Sequence, residues 1–199
     1  MTSLLNNRIT IVTGLPRSGT SMMMKMLAAG GLPPLCDGER AADSDNPNGY
    51  YEYEPVKQTA TDPSWLHAAP GKAVKMVYSL LYDLPRVPPV DGTNEYDVVF
   101  MRRDLQEILC SQRRMLQNMK IDVTVDDERM SRLFAAEITR FQKWLASADH
   151  IRSIEINYND VASGCVEPLH QINSHLGHRL DVAAMSAVVD PSLYRNRVA

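Results

Sequence analysis

The chain has 199 residues, 44% hydrophobic and 23% charged, a length and composition that predict one globular domain over residues 1–199. The net charge of -3 argues against a general nucleic-acid binder with a basic face. Cys36, Cys110 and Cys165 lack C-x-x-C spacing, which argues against a disulfide framework or a zinc cluster.

Residues 8–14, RITIVTG, are a β-branched run ending in glycine, the pattern of a buried strand that feeds a loop. Residues 18–29 are good helix formers with Lys25 as their one charge, so a largely buried helix is expected, stopped at Gly30 and Gly31. Met22, Met23, Met24 and Met26 read as core filler. Residues 33–70 are rich in Pro, Gly, Asp, Asn and Tyr without a period, which predicts ordered loops over the surface. Strands are predicted over 72–77 and 96–101, and the prolines of 82–95 forbid a regular element between them. Asp104 with Glu107 has the spacing of a capping box and starts a helix. Over 126–148, Met130, Leu133, Phe134, Ile138, Phe141 and Leu145 recur at helical spacing while Arg129, Arg132, Arg140 and Lys143 face away. Residues 151–157 form a last strand, and 166–176 a helix closed by Gly177. This alternation predicts an α/β class with a mainly parallel central sheet flanked by helices. No stretch approaches the roughly 18 apolar residues of a membrane helix, and the first residues show no secretory pattern, so a cytoplasmic protein with no membrane partner is expected.

Gly14 and Gly19 frame the stretch GLPRSGTS, a G-x-x-x-x-G-T-S where a Walker loop has lysine before its last residue. Backbone N–H groups can cradle an anion where no Cβ intrudes, and the helix start adds a favourable dipole. The lysine that reaches β and γ phosphates is missing, and the strand that could carry a magnesium-binding Asp ends in FMRRD, which disfavours ATP hydrolysis or a standard kinase mechanism. Arg17 places the positive charge inside the loop. A second arginine, Arg103, ends a predicted strand, and Ser111 lies two turns into the next helix, so the pair can converge on one phosphate. A plain strand-to-helix turn with solvated arginines is the structural alternative.

Taken together, these stretches resemble the sulfotransferases that use 3'-phosphoadenosine 5'-phosphosulfate, PAPS. GLPRSGTS is similar to that family's 5'-phosphosulfate loop, P-[RK]-S-G-T-[ST], and RDLQEILCS (103–111) to its 3'-phosphate motif, R-D-x(6)-S. Residues 158–177, YNDVASGCVEPLHQINSHLG, resemble a third motif, in the expected order. The resemblance implies a three-layer P-loop fold, PAPS as donor and PAP as product. Pro16, Arg17, Ser18, Gly19, Thr20 and Ser21 then hold the phosphosulfate, with Arg17 also stabilising the leaving phosphate. Arg103 and Ser111 hold the 3'-phosphate, and Tyr158 lies by the adenine. Met22 stands where cytosolic members often have a tryptophan stacked on the adenine. Arg195 and Arg197 answer to the family's C-terminal basic loop, without its glycine-rich pattern.

The resemblance departs from the family at the catalytic base. Cytosolic members carry a histidine after the second strand, where this chain has Val77. The tyrosyl-protein members use a glutamate, and CDGER (36–40) partly echoes their segment. That names Glu39 first as base, followed by Glu52 and Asp37, with a base supplied by the acceptor as the alternative. His67, His150, His170, His175 and His178 have no metal-ligand spacing, and no metal is expected. The activity so implied is metal-independent, in-line sulfuryl transfer to a hydroxyl or amine of a small-molecule, saccharide or peptide acceptor. The rivals are an atypical P-loop kinase of a small metabolite and a non-catalytic domain that binds PAP or a partner through GYYEYEP. No nucleic-acid partner is expected, and a homodimer is left open.

Overall fold

The computed structural model describes residues 8–38, 43, 46, 49–86, 96–121, 126–190 and 194. Its centre is a sheet of β1 (Ile9–Gly14), β2 (Pro34–Leu35), β3 (Ala73–Lys75), β4 (Tyr96–Arg102) and β5 (Ile151–Asn157). The spatial order is β2-β3-β1-β4-β5, and every pairing is parallel. The α/β class expected from the alternation of elements is therefore the one observed.

Strand alternation divides the core between the two faces of the sheet. Ile9, Ile11, Val74, Tyr96, Val98 and Phe100 point to one face. There they meet α2 (Leu105–Asn118) and α3 (Asp127–Ser147) through Ile108, Ile138, Phe141 and Leu145. Val12, Ala73, Val99, Met101 and Ile156 point to the other face. That face is covered by α1 (Thr20–Ala29), α4 (Tyr158–Ala162), α5 (Glu167–His175) and α6 (Val182–Ala187). Helices on both sides make three layers. Met23, Met24 and Met26 are buried in this second core, as expected of filler, while Met22 is only partly buried against it.

The remaining elements depart from expectation for local reasons. The strand over 72–77 is shorter because the chain turns at Val77 into a 3-10 helix, Tyr78–Asp83. That turn packs Tyr78 edge-on against Phe141 at 5.4 Å and buries Leu81. The supposed loop 33–70 contains the two-residue strand β2 and two 3-10 helices, Glu54–Gln58 and Ser64–Ala68. Two residues are too few to show a period, and β2 exists because β3 offers it a parallel edge. Trp65 is buried and donates its indole N–H to Thr59 Oγ1 at 3.0 Å. Asp104 caps α2, accepting from the Gln106 and Glu107 amides, but the Glu107 carboxylate is bonded elsewhere. Leu133 is half exposed, so the apolar stripe of α3 is narrower than its spacing implies.

One pH dependence follows from the packing of α5. Burial, then the nearby Arg152 charge, lowers the His175 pKa from 6.5 to about 4. The folded state thus holds this imidazole neutral where the unfolded chain protonates it, so its contribution is full above pH 6.5 and is lost as pH falls toward 4. Urea unfolding across that window should show the wild type losing more stability on acidification than His175→Gln, and parallel profiles would contradict the assignment.

Candidate functional site

The crossover from β1 leads through α1 toward β2 and β3, whereas that from β4 leads through α2 and α3 to β5. Adjacent parallel strands whose connections diverge open a crevice at their C-terminal ends, where α/β folds bind ligands. The register pairs Gly14 with Met101, so the two strands leave the sheet within one residue of the same height. A cleft of about 520 Å³ lies there, lined by the loop 14–22 except Ser18, and by Lys75, Arg103, Ser111 and Tyr158 among others.

The loop after β1 uses unusual backbone geometry to face this cleft. Arg17 has φ 71° and Gly19 has φ 95°. No side chain caps α1, and the first amides of a helix have no partner inside it, so these N–H groups and the positive helix end are directed at the cleft. Glycine is required at position 19 twice over. Besides its φ, a Cβ there would sit 2.3 Å from Cδ2 of Tyr158. At Gly14 a Cβ would lie 2.3 Å from Ser18 Oγ and 2.7 Å from the Met101 carbonyl. Ser18 is thus turned behind the loop, its amide donating to the Leu15 carbonyl at 3.1 Å. Its buried hydroxyl has no hydrogen-bond partner among the described residues. Pro16, Thr20, Ser21 and Met22 line the cleft.

Two arginines join the loop to α2. Arg17 Nε donates to Ser111 Oγ at 3.0 Å, and Arg103 Nη1 donates to the Arg17 carbonyl at 3.0 Å. The serine expected to act with Arg103 is therefore in direct contact with Arg17, and all three side chains line one cleft. Arg103 Nε donates to Glu107 Oε2 at 2.9 Å, with only 7% of the arginine side chain and 2% of the glutamate exposed. Its guanidinium lies over the Tyr158 ring, 4.2 Å from the centroid, so Tyr158 is a buried platform for both Arg103 and Gly19. Glu107 Oε1 accepts from Asn159 Nδ2 at 3.0 Å and from the Tyr194 hydroxyl at 2.8 Å. Burial and the Glu107 bond raise the Tyr194 pKa above its ordinary value, which keeps the phenol a donor.

Among the described residues, the acidic loop contributes one carboxylate to the cleft. Glu52 lines it, 3.7 Å from Lys75 Nζ. Lys75 also donates to the Tyr50 carbonyl, which accepts from Ser21 Oγ at 3.4 Å. Asp37 is exposed, its carboxylate accepting from the Glu54 amide at 2.7 Å, and it does not line the cleft. Glu39, Arg195 and Arg197 lie outside the described residues. The far wall is apolar: Tyr53, Val56, Met76, Val77, Leu80 and Met115. Lys75, Glu107, Asn159 and Tyr194 join the site without having been singled out for it by their place in the sequence. For Glu107 a signal existed, because a position four residues after Arg103 faces it on one helix, but the cap assignment absorbed that glutamate.

Among the described residues, no His, Cys, Asp and Glu side chains group so as to hold a metal ion, and no helix is long and apolar enough to cross a membrane. No protein-family model matches the chain, and no curated protein matches it either.

The glycine geometry leads to a paired test. Gly31 also has positive φ, 97°, but a Cβ added there would meet nothing within 4 Å, so Gly31→Ala should cost only backbone strain, about 1 to 2 kcal/mol. Gly19→Ala should cost that plus an overpacking penalty of about 1 to 3 kcal/mol against Tyr158. Urea unfolding of the two variants checks this, and equal losses would refute the Tyr158 contact as the constraint.

Proposed function

We propose that this chain is a PAPS-dependent sulfotransferase acting in the cytoplasm on a hydroxyl or amine. The observation that carries this reading is the meeting of two arginine-bearing segments at one crevice, with Arg17 on Ser111 and Arg103 on the Arg17 carbonyl. A donor with a phosphosulfate at one end and a second phosphate on its ribose calls for two anion subsites a few ångströms apart, and the helix start and Arg103 supply them. The fit of the loop to an anion is supported by the uncapped start of α1, whose first amides face the cleft after the positive-φ residues Arg17 and Gly19. The exposed thiols Cys36, Cys110 and Cys165 suit a reducing compartment.

In the reaction, the acceptor oxygen or nitrogen attacks sulfur as the bond from sulfur to the 5'-phosphate oxygen breaks, PAP leaves, and the acceptor's proton passes to a base. Arg17 and the loop amides stabilise the charge that grows on the leaving phosphate. Glu52 takes the proton, being, among the described residues, the carboxylate of the acidic loop that lines the cleft, and Lys75 beside it supplies positive charge next to the reacting centre. The wall of Val56, Met76, Val77, Leu80 and Met115 suits an acceptor with an apolar body, because burying apolar surface against it is favourable.

Calorimetry in the presence of EDTA should show PAP binding at least about tenfold more tightly than 5'-AMP, as expected when a charge-assisted contact worth about 1.5 to 3 kcal/mol is added. Equal affinities, or a preference for ATP with magnesium, would defeat the reading, the latter in favour of a kinase. Arg17→Ala should lower mainly kcat and Arg103→Ala should raise mainly the donor KM, since only Arg17 lies beside the group in transfer.

With an acceptor in hand, Glu52→Gln should retain PAP affinity and lose at least about a hundredfold in turnover, as removal of a general base does. Glu39→Gln assayed in parallel decides between the two glutamates. A full rate for Glu52→Gln excludes it as base.

A further inference from the structure

The buried carboxylate of Glu107 takes no part in the chemistry above, yet Arg103, Asn159 and Tyr194 all converge on it. We propose that Glu107 is a positioning residue that holds the anion loop in its binding geometry, acting through Arg103 on the Arg17 backbone and braced by Asn159 and Tyr194. The proposal rests on the reading of the loop as the donor site only for its ligand arm.

The chain of contacts is continuous. Arg17 occupies the left-handed region at φ 71°, which a residue with a Cβ adopts only when its surroundings impose it. The carbonyl of that residue is held by Arg103 Nη1 at 3.0 Å. Arg103 can serve this way because its guanidinium is fixed on two further sides, by the Tyr158 ring at 4.2 Å and by Glu107 Oε2 at 2.9 Å. A guanidinium so little exposed needs a counter-charge, and Glu107 provides it within the same helix. The other carboxylate oxygen binds Asn159, at the start of α4, and Tyr194. Tyr194 also packs edge-on against Tyr158 at 5.5 Å. One carboxylate thus ties α2, α4, the loop after β1 and residue 194 together.

A role based on charge alone has the opposite consequence. Removing a negative charge beside an anion site should by itself tighten anion binding. A loss of affinity on Glu107→Gln is therefore the signature of positioning.

The test uses the full chain with Glu107→Gln, Glu107→Asp and Tyr194→Phe. In the free protein, hydrogen exchange of the 14–19 amides should quicken by about tenfold or more in Glu107→Gln relative to the strands of the sheet. Glu107→Asp should behave likewise, because its shorter carboxylate keeps the charge but falls short of Arg103. Tyr194→Phe should move the same amides less, and its milder change keeps the test open if either Glu107 variant fails to fold. With PAP as probe, Glu107→Gln should bind about tenfold or more weakly, and in an Arg103→Ala background the same substitution should have no further effect. Unchanged loop exchange, or PAP binding as tight as or tighter than that of the wild type, overturns the proposal. If the wild type binds no PAP, the donor reading fails, and the exchange arm still decides the role of Glu107.

Discussion

The parallel pairing of β1 with β4 is the constraint on which the site depends. Six residues are in register, from Ile9 opposite Tyr96 to Gly14 opposite Met101, and side chains from both strands are buried on both faces. A slip of one residue would exchange the faces, sending Val12 and Val99 to the wrong core, so the register is strongly specified. Because it is, β1 ends at Gly14 level with Met101, one residue before β4 ends at Arg102. Arg17, three residues after Gly14, and Arg103, two residues after Met101, are thereby brought within a hydrogen bond of each other.

Charge is buried in this molecule where geometry requires it. Exposed pairs such as Arg86 with Asp149 and Arg132 with Glu128 contribute little to stability, because water screens them and long side chains must be ordered. The pair of Arg103 with Glu107 is different in kind: both members are nearly excluded from solvent, and neutral donors on Asn159 and Tyr194 complete the carboxylate. Such a pair is costly to form and costlier to break, which favours one arrangement over neighbouring ones. A second buried carboxylate, Asp97, lies between Arg8 and Arg152 at 3.4 Å from each. It stands near the opposite, N-terminal edge of the sheet, where it joins β4 to β5 and to the residue that precedes β1.

The end of β3 explains how one cleft can be polar on one side and apolar on the other. Lys75 pairs in register with Val12 of β1 and carries its ammonium to the Tyr50 carbonyl and Glu52. The next residues, Met76 and the half-exposed Val77, belong to the apolar wall. The segment over the cleft is fastened from both sides at one atom, since the Tyr50 carbonyl accepts from Ser21 of α1 as well as from Lys75. Tyr51, between Tyr50 and Glu52, has φ 52°, a strained conformation for a bulky residue and one found where surrounding contacts over-determine the chain.

Periodicity and caps, read along the chain alone, determined the class of fold and most of its parts: the buried strands around Val12 and Val98, the stripe through Ile138, Phe141 and Leu145, and the Asp104 cap. These are legible because they depend on neighbours within about one helical turn or on alternation within one strand. The glycines of the loop were legible too, since positive φ at Gly19 is a local demand. Tertiary structure alone decided the rest. Strand β2 exists only as an edge for β3. Ser18 turns behind the loop because Gly14 leaves room for it, and Glu52 rather than Asp37 enters the cleft because Lys75 draws it there while the Glu54 amide holds Asp37 outside. Glu107, four residues from Arg103 but 87 from Tyr194, shows the boundary most sharply. Its pairing within the helix is a matter of spacing, but its partnership with Tyr194 arises only when the fold sets that one distant side chain against α2.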